Sequence, residues 1–213
     1  MLKVYNTLSR KLEVFKPIKD REVKFFCCGP TVYNYAHIGN LRSYVFPDLL
    51  KKVLTLIGYE VKQIINFTDV GHLTSDADDG DDKIEKAAKE RGLNAWEVSK
   101  FYAEAFKKDI IALNISFPAK FTYATEYIKE QIEMISQLEK NSLTYQTSDG
   151  VYFDSLKFPN YGKMAKIDVE GLEEGNRVDF KEKRSKTDFA LWKVSPEEQQ
   201  RQMEWESPWG KGF

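Results

Sequence analysis

The hydrophobic pattern of the first seventy residues predicts a strand, a helix and a second strand. Residues 22–28 (EVKFFCC) form a short run of β-forming residues, which Gly29 ends. Residues 41–57 carry apolar side chains at helical spacing, and Gly58 follows where the C-terminal glycine of a helix would stand. Residues 59–67 (YEVKQIINF) are typical of another strand. A strand–helix–strand unit of this length predicts a parallel sheet.

Three further helices are predicted after the first one, which itself contains a proline. Pro47 falls inside it, which predicts either a kink or a helix that restarts near Phe46. The further helices are expected over residues 83–91, 96–113 and 126–140. One apolar face of the last is formed by Ile128, Ile132, Ile135 and Leu138.

The remainder of the chain is richer in turns. Residues 143–145 and 151–153 alternate around Ser148-Asp149-Gly150, which predicts a hairpin. The chain after this hairpin is polar, with one more strand expected over residues 189–194. The acidic run 76–82 (DADDGDD) is predicted to be a solvated loop, because it lacks the final glutamate ligand of a helix–loop–helix calcium site.

Composition narrows the class of protein without pointing to a function. The 213 residues, 42% hydrophobic and 31% charged, suit one large domain or one domain with an insertion. No apolar run approaches the ~18 residues of a membrane span, and the N-terminus lacks a signal-peptide core, so a cytoplasmic location without membrane association is expected. The net charge of −1 gives no overall sign of nucleic-acid binding, although a local patch would suffice.

Residues that could bind a ligand or take part in a reaction are concentrated at the end of the first predicted strand. The chain has two cysteines and two histidines, and three of these four lie between Cys27 and His37. Ligands of open parallel sheets bind beyond the carboxyl ends of the strands. Cys28 ends the strand there, and its thiol could be a metal ligand, a nucleophile or a packing residue, whereas Cys27 points to the opposite face. His37, Gly39 and Asn40 lie where the helix begins, and a helix N-terminus suits a phosphate.

The spacing of these residues resembles a known signature. Cys28-Gly29-Pro30-Thr31-Val32-Tyr33 followed by His37-Ile38-Gly39-Asn40 closely resembles the first signature of cysteinyl-tRNA synthetases, which are class I enzymes; Asn40 stands where a histidine is usual. Other segments resemble the family in order and approximate spacing: Tyr5–Leu8, Asn66–Asp69, Asp81–Ile84, Tyr152–Asp154, Asp188–Lys193 and Ser207–Gly210.

The resemblance implies an α/β protein with the Rossmann-like nucleotide-binding fold of class I synthetases. Residues 1–115 would form the first half of the catalytic domain, and residues 116–213 an inserted α+β connective region that leads back to it. The second half, the lysine loop and the anticodon-binding helices would be absent from this chain. Lys163-Met164-Ala165-Lys166 is similar to the lysine loop but falls too early, so we interpret it as a chance match.

The resemblance also implies a reaction. Members of the family activate cysteine with ATP and Mg²⁺ to cysteinyl-adenylate and transfer the cysteinyl group to tRNA(Cys). Their zinc, one per full-length chain, binds the substrate thiolate and so excludes serine. A monomer is expected, and the 213-residue chain alone is expected to be inactive. Two alternatives stay open: the ligase that joins cysteine to an amino-sugar inositol in mycothiol synthesis, and a non-catalytic paralogue that binds cysteine or RNA.

The family's functional residues carry over to matching positions of this chain. The catalytic residues would be His37 and Asn40. ATP would contact Pro30, Thr31, His37, Gly39 and Asn40. Cysteine and its adenylate would contact Gly29, Thr31, Asn66 and Thr68. Cys28 would be a zinc ligand, and His72 is expected to be solvated in a distant loop.

Overall fold

The computed structural model describes residues 1–73, 82–164, 182–196 and 201–213. The strands are β1 (Lys3–Asn6), β2 (Lys11–Val14), β3 (Glu22–Cys27), β4 (Glu60–Phe67), β5 (Lys120–Tyr123), β6 (Thr144–Thr147), β7 (Gly150–Phe153) and β8 (Phe189–Lys193). The α-helices are α1 (Ile38–Leu56), α2 (Lys83–Arg91), α3 (Ala95–Ala112) and α4 (Ile128–Lys140). The chain forms two compact units. One contains the described residues of Lys16–His72 and Asp81–Tyr127, and the other contains those of Met1–Phe15, Leu73–Gly80 and Ile128–Phe213.

A parallel sheet of order β3-β4-β5 forms the centre of the first unit. β3 runs parallel to β4 with Cys27 opposite Ile65, and β4 runs parallel to β5 with Phe67 opposite Tyr123. The predicted strand–helix–strand unit is therefore confirmed. The four-residue strand β5 was not predicted, because a run as short as KFTY carries little period-2 signal.

Helix α1 begins earlier than predicted and is continuous through Pro47. The expectation that the helix restarts near Phe46 was wrong. Pro47 has no backbone N–H, so the carbonyl of Ser43 loses its helical hydrogen bond. Ser43 lies on the exposed side of the helix, where water can replace that bond. Gly58 follows the C-cap residue Ile57 as predicted, with φ of +96°, and the N–H of Tyr59 donates to the carbonyl of Leu54 at 3.1 Å.

Aromatic contacts form the core between the helices and the sheet of this unit. Phe106 of α3 meets Tyr44 of α1 edge-on, with ring centroids 4.8 Å apart, and Phe67 of β4 at 5.7 Å. All three rings are buried. Such aromatic pairs stabilise the packing beyond the effect of buried apolar area. They therefore help to hold α1 near the end of β4, where the candidate site residues lie.

The second unit contains an antiparallel sheet of order β6-β7-β8. The predicted hairpin is confirmed, with Thr147 opposite Gly150. Helix α4 packs on this sheet through Ile128 and Ile135, which meet Val151 and Trp192 in one buried cluster. The residues before it, Ala124–Tyr127, form a 3-10 turn rather than the first turn of the predicted helix. In the same unit, β1 and β2 form a separate antiparallel pair.

Parts of two predicted segments lie outside the described residues. Of the acidic run, residues 76–81 are not described, and Asp82 is buried, so the prediction of a solvated residue is wrong for Asp82. Ala165 and Lys166, in the segment similar to the lysine loop, also lie outside the described residues. Among the described helices, none is long and apolar enough to cross a membrane.

Candidate functional site

The candidate site lies where β3 and β4 end side by side. The backbone N–H of Gly29 donates to Oδ1 of Asn66 at 2.9 Å. Beyond the strands, Thr31 pairs with Thr68 in a parallel bridge, and the N–H of Thr68 donates to the carbonyl of Pro30 at 3.1 Å. These bonds hold the two strand ends together. The residues that make them include Gly29, Thr31, Asn66 and Thr68, which were expected to contact cysteine and its adenylate.

Gly29 is required by this close approach. A Cβ atom at position 29 would lie 1.5 Å from the carbonyl oxygen of Asn66, which is backbone and cannot turn aside. Any side chain would separate the two strand ends.

His37 and Asn40 close the first turn of α1 by a reciprocal cap. His37 is the N-cap residue, and its Nδ1 accepts a hydrogen bond from the N–H of Gly39 at 3.1 Å. The N–H of His37 donates to Oδ1 of Asn40 at 3.1 Å. Because Nδ1 is an acceptor, the neutral ring carries its proton on Nε2, which is left as a donor. A Cβ on Gly39 would lie 2.9 Å from Cε1 of His37, so only glycine leaves room for this ring position.

His72 and Lys83 belong to the same site. Nδ1 of His72 lies 2.6 Å from Oγ1 of Thr31, and Nε2 lies 2.8 Å from Nζ of Lys83. The prediction that His72 is solvated in a distant loop was therefore wrong. It is half-buried, and its side chain bridges the end of β3 and the start of α2.

Asp82 holds the chain next to His72 against the start of α2. Its Oδ1 accepts from the N–H groups of Ile84 and Glu85 and so caps α2, while Oδ2 accepts from the N–H of Gly71 at 2.7 Å. The N–H of Lys83 also donates to the carbonyl of His72 at 2.9 Å. One buried carboxylate thus fastens the chain that follows β4 to the first turn of α2.

These residues surround a cleft of about 500 Å³. Six of the predicted site residues line it: Cys28, Gly29, Pro30, Thr31, His37 and Asn40. Gly39, Asn66 and Thr68 are not in the lining; they support it through the contacts described above. Residues that sequence reasoning did not place in the site also line the cleft: Tyr33, Asn34, Tyr35, Ala36, Ser43, Tyr44, His72 and Lys83.

A signal for His72 was present in the sequence. Ligands bind beyond the carboxyl ends of parallel strands, and this holds for the residues that follow Phe67 as well as for Cys28. His72 comes five residues after that strand end. Lys83 gave a weaker signal, since a lysine in a first helical turn is common on protein surfaces.

The two cysteines have different surroundings. Cys27 accepts a weak hydrogen bond from Nε2 of Gln63 at 3.6 Å, and burial raises the pKa of its thiol. Cys28 is exposed and faces the cleft. Within the described ranges, no three His, Cys, Asp or Glu side chains are grouped so that they could hold a metal ion. A tetrahedral zinc site needs three or four protein ligands, so these residues do not by themselves fit one.

Comparison with known proteins places the chain in a family. Residues 14–213 match the family described as "tRNA synthetases class I (C) catalytic domain". The chain belongs to this family. The α/β class with a parallel Rossmann-like sheet, expected from the sequence, is confirmed for this synthetase chain by that match and by the order of β3, β4 and β5.

Curated relatives of the synthetase chain are longer than it is. It is 52% identical over its whole length to cysteine–tRNA ligase 1 of Burkholderia lata, of which it covers 45%. It is 46% identical to cysteine–tRNA ligase of Treponema denticola, covering all of this chain and 43% of that protein. The chain thus spans less than half the length of these relatives.

Solved structures of other synthetases resemble the chain more distantly. A methionyl-tRNA synthetase from Mycobacterium tuberculosis in complex with methionyl-adenylate matches 61% of this chain and 24% of its own, with a TM-score of 0.48 and 19% identity. A leucyl enzyme (LeuRS–tRNA–LeuAMS complex, Agrobacterium radiobacter) matches 61% of this chain and 16% of its own, with a TM-score of 0.48 and 22% identity.

Proposed function

We propose that the protein containing this chain is a cysteine–tRNA ligase, which activates cysteine with ATP and transfers the cysteinyl group to tRNA(Cys). One observation carries the proposal. Both parts of the signature, Cys28–Thr31 and His37–Asn40, converge on one cleft in a chain that is 52% identical to a protein of that name.

The start of α1 is the proposed phosphate corner for ATP and its Mg²⁺. The Nε2–H of His37 and the amide of Asn40 can donate to phosphate oxygens, and the N-terminal end of α1 adds partial positive charge. Gly39 leaves room for the ring of His37 at this corner, and Pro30 forms the neighbouring wall. Charge that builds up on the transferring phosphate would be stabilised by donors that are already in place.

The ends of β3 and β4 are the proposed amino-acid side of the cleft. Gly29 and Thr31 line it, and Asn66 and Thr68 hold these two residues in position. We propose that Cys28 contributes one ligand to a zinc ion of the full-length protein, whose other ligands would come from beyond this chain. When bound, zinc supplies a soft acceptor for the substrate thiolate.

The organisation of the chain follows from the same proposal. Residues 1–115 would belong to the first half of the catalytic domain, and residues 116–213 to the inserted connective region. The full-length enzyme would be a cytoplasmic monomer.

The test is product analysis of the full-length protein. With ATP, Mg²⁺ and labelled cysteine, it should charge tRNA(Cys) and give a cysteine-dependent exchange of pyrophosphate into ATP. Serine is the matched control substrate and should give neither product. Adenylate formed with cysteine and passed to an amino-sugar inositol, with none on tRNA, would move the protein to the other ligase class. The absence of any cysteine-dependent exchange would leave a non-catalytic paralogue.

A further inference from the structure

Lys83, His72 and Thr31 form a hydrogen-bonded series whose direction is fixed. A lysine ammonium has three donors and no acceptor, so Nε2 of His72, 2.8 Å away, must accept. A neutral imidazole that accepts at one nitrogen carries its proton on the other. Nδ1–H of His72 therefore donates to Oγ1 of Thr31 at 2.6 Å.

This direction determines what the hydroxyl of Thr31 can do. A threonine hydroxyl has one proton and two lone pairs, and His72 occupies one lone pair. In the part of the chain that the structure describes, the contact with His72 is the one hydrogen bond of Oγ1, so no protein acceptor takes its proton. Thr31 lines the cleft, and its proton is therefore available to a molecule bound there.

The charge of Lys83 strengthens that donor. Hydrogen bonds in series polarise one another, and the ammonium stands at the beginning of this series. The ammonium is also held over the ring of Tyr33, 5.7 Å from its centroid, by a cation–π contact. A hydroxyl polarised in this sense favours an anionic oxygen over an ammonium group.

We propose that His72 is a positioning residue that orients the Thr31 hydroxyl as a donor to an anionic oxygen of the bound substrate, either the amino-acid carboxylate or a phosphate. This inference rests on the proposed function for the identity of the substrate. The direction of the Lys83–His72–Thr31 series is a property of the protein alone, so it can be tested separately.

The first test is the tautomer of His72 in the wild-type protein. In a long-range ¹H–¹⁵N spectrum of protein labelled with ¹⁵N-histidine, His72 should show its proton on Nδ1. Its signals are assigned by their loss in His72→Asn. His37 is the internal contrast, because its Nδ1 accepts from Gly39 and its proton should be on Nε2. A neutral His72 with its proton on Nε2 would overturn the proposal, whatever reaction the protein catalyses.

The second test compares two amides in place of the imidazole. In His72→Asn the amide N–H can take the position of Nδ1 and still donate to Thr31, whereas the amide of His72→Gln reaches the position of Nε2 only. We expect kcat/KM of cysteine-dependent pyrophosphate exchange by the full-length protein to fall about 10-fold in His72→Gln and about threefold or less in His72→Asn. Equal losses in the two variants would contradict the donor role.

The third test asks whether His72 acts through Thr31. Thr31→Val removes the hydroxyl at nearly constant shape, and Thr31→Ser retains it. If His72 acts through this hydroxyl, His72→Gln should add little to the loss already caused by Thr31→Val. Fully additive losses would refute the series. A rise confined to the KM for cysteine would identify the carboxylate as the acceptor, and one confined to the KM for ATP would identify a phosphate.

A wild-type protein without exchange activity would refute the proposed function, while the tautomer of His72 would still decide the inference.

Discussion

His37 shows how a single ring can serve the fold and the site together. Its Nδ1 completes the N-terminal cap of α1, and this bond forces the proton onto Nε2. Capping thus fixes the tautomer in which Nε2–H can donate to a molecule bound in the cleft. The sequence placed this residue at the start of the helix as a candidate phosphate donor, and the structure adds its role in the cap.

Substitution of His37 can separate the two roles. His37→Asn keeps an oxygen for the N–H of Gly39, since asparagine is a good N-cap residue, but removes the Nε2 donor. His37→Ala removes both. We expect both variants of the full-length protein to slow ATP–pyrophosphate exchange by ~10²-fold or more. His37→Ala alone should also lose about 0.5–2 kcal/mol of stability in thermal unfolding. Wild-type exchange by His37→Asn would show that capping is the whole role of this histidine.

At the scale of elements, Asp82 has a larger role than its place in an acidic run suggests. It caps α2 with one carboxylate oxygen and holds Gly71 with the other, so it fixes both the helix and the position of His72. Asn94 offers a matched control, because it caps α3 by a bond to the N–H of Glu97 at 2.8 Å but is exposed.

The two caps should respond differently to removal. Asp82→Ala leaves buried N–H groups unpaired and should lower the free energy of unfolding by about 1–3 kcal/mol. It should also reduce kcat/KM of the exchange reaction, since His72 loses its support. Asn94→Ala should cost about 1 kcal/mol with no change in the exchange reaction. The measurements are urea unfolding and exchange kinetics, and normal kinetics in a folded Asp82→Ala would show that His72 is positioned by other contacts.

Elements with a strong local signal were predictable, and those that depend on distant partners were not. The period of apolar residues located α1 and β4, and Gly58 marked the end of the helix. The start of α1 was misplaced by three residues, because a histidine cap lacks the usual Ser, Thr, Asp or Asn signature. The contacts of His72 could not be predicted, because they depend on the bond between Gly71 and Asp82, eleven residues apart in sequence.

At the scale of the whole molecule, the described residues leave the proposed zinc chemistry with a single candidate ligand. Cys28 is exposed at the cleft, and each ring nitrogen of His72 already has a partner. One thiolate is too few for tight binding of zinc, which needs three or four protein ligands. A complete site would therefore require residues in addition to those that the structure describes.

The short and the full-length protein should therefore differ in zinc content. Elemental analysis should find one zinc per full-length chain and no stoichiometric zinc in the 213-residue chain, which should also fail to activate cysteine. In the full-length protein, Cys28→Ser should weaken both zinc retention and discrimination against serine, because a serine hydroxyl is a poor ligand for a soft metal site. Cys27→Ser is the control and should keep both, since Cys27 contacts Gln63 within the sheet. Zinc at one per chain in the short form would mean that other residues build the site, and intact zinc and selectivity in Cys28→Ser would return Cys28 to a packing role.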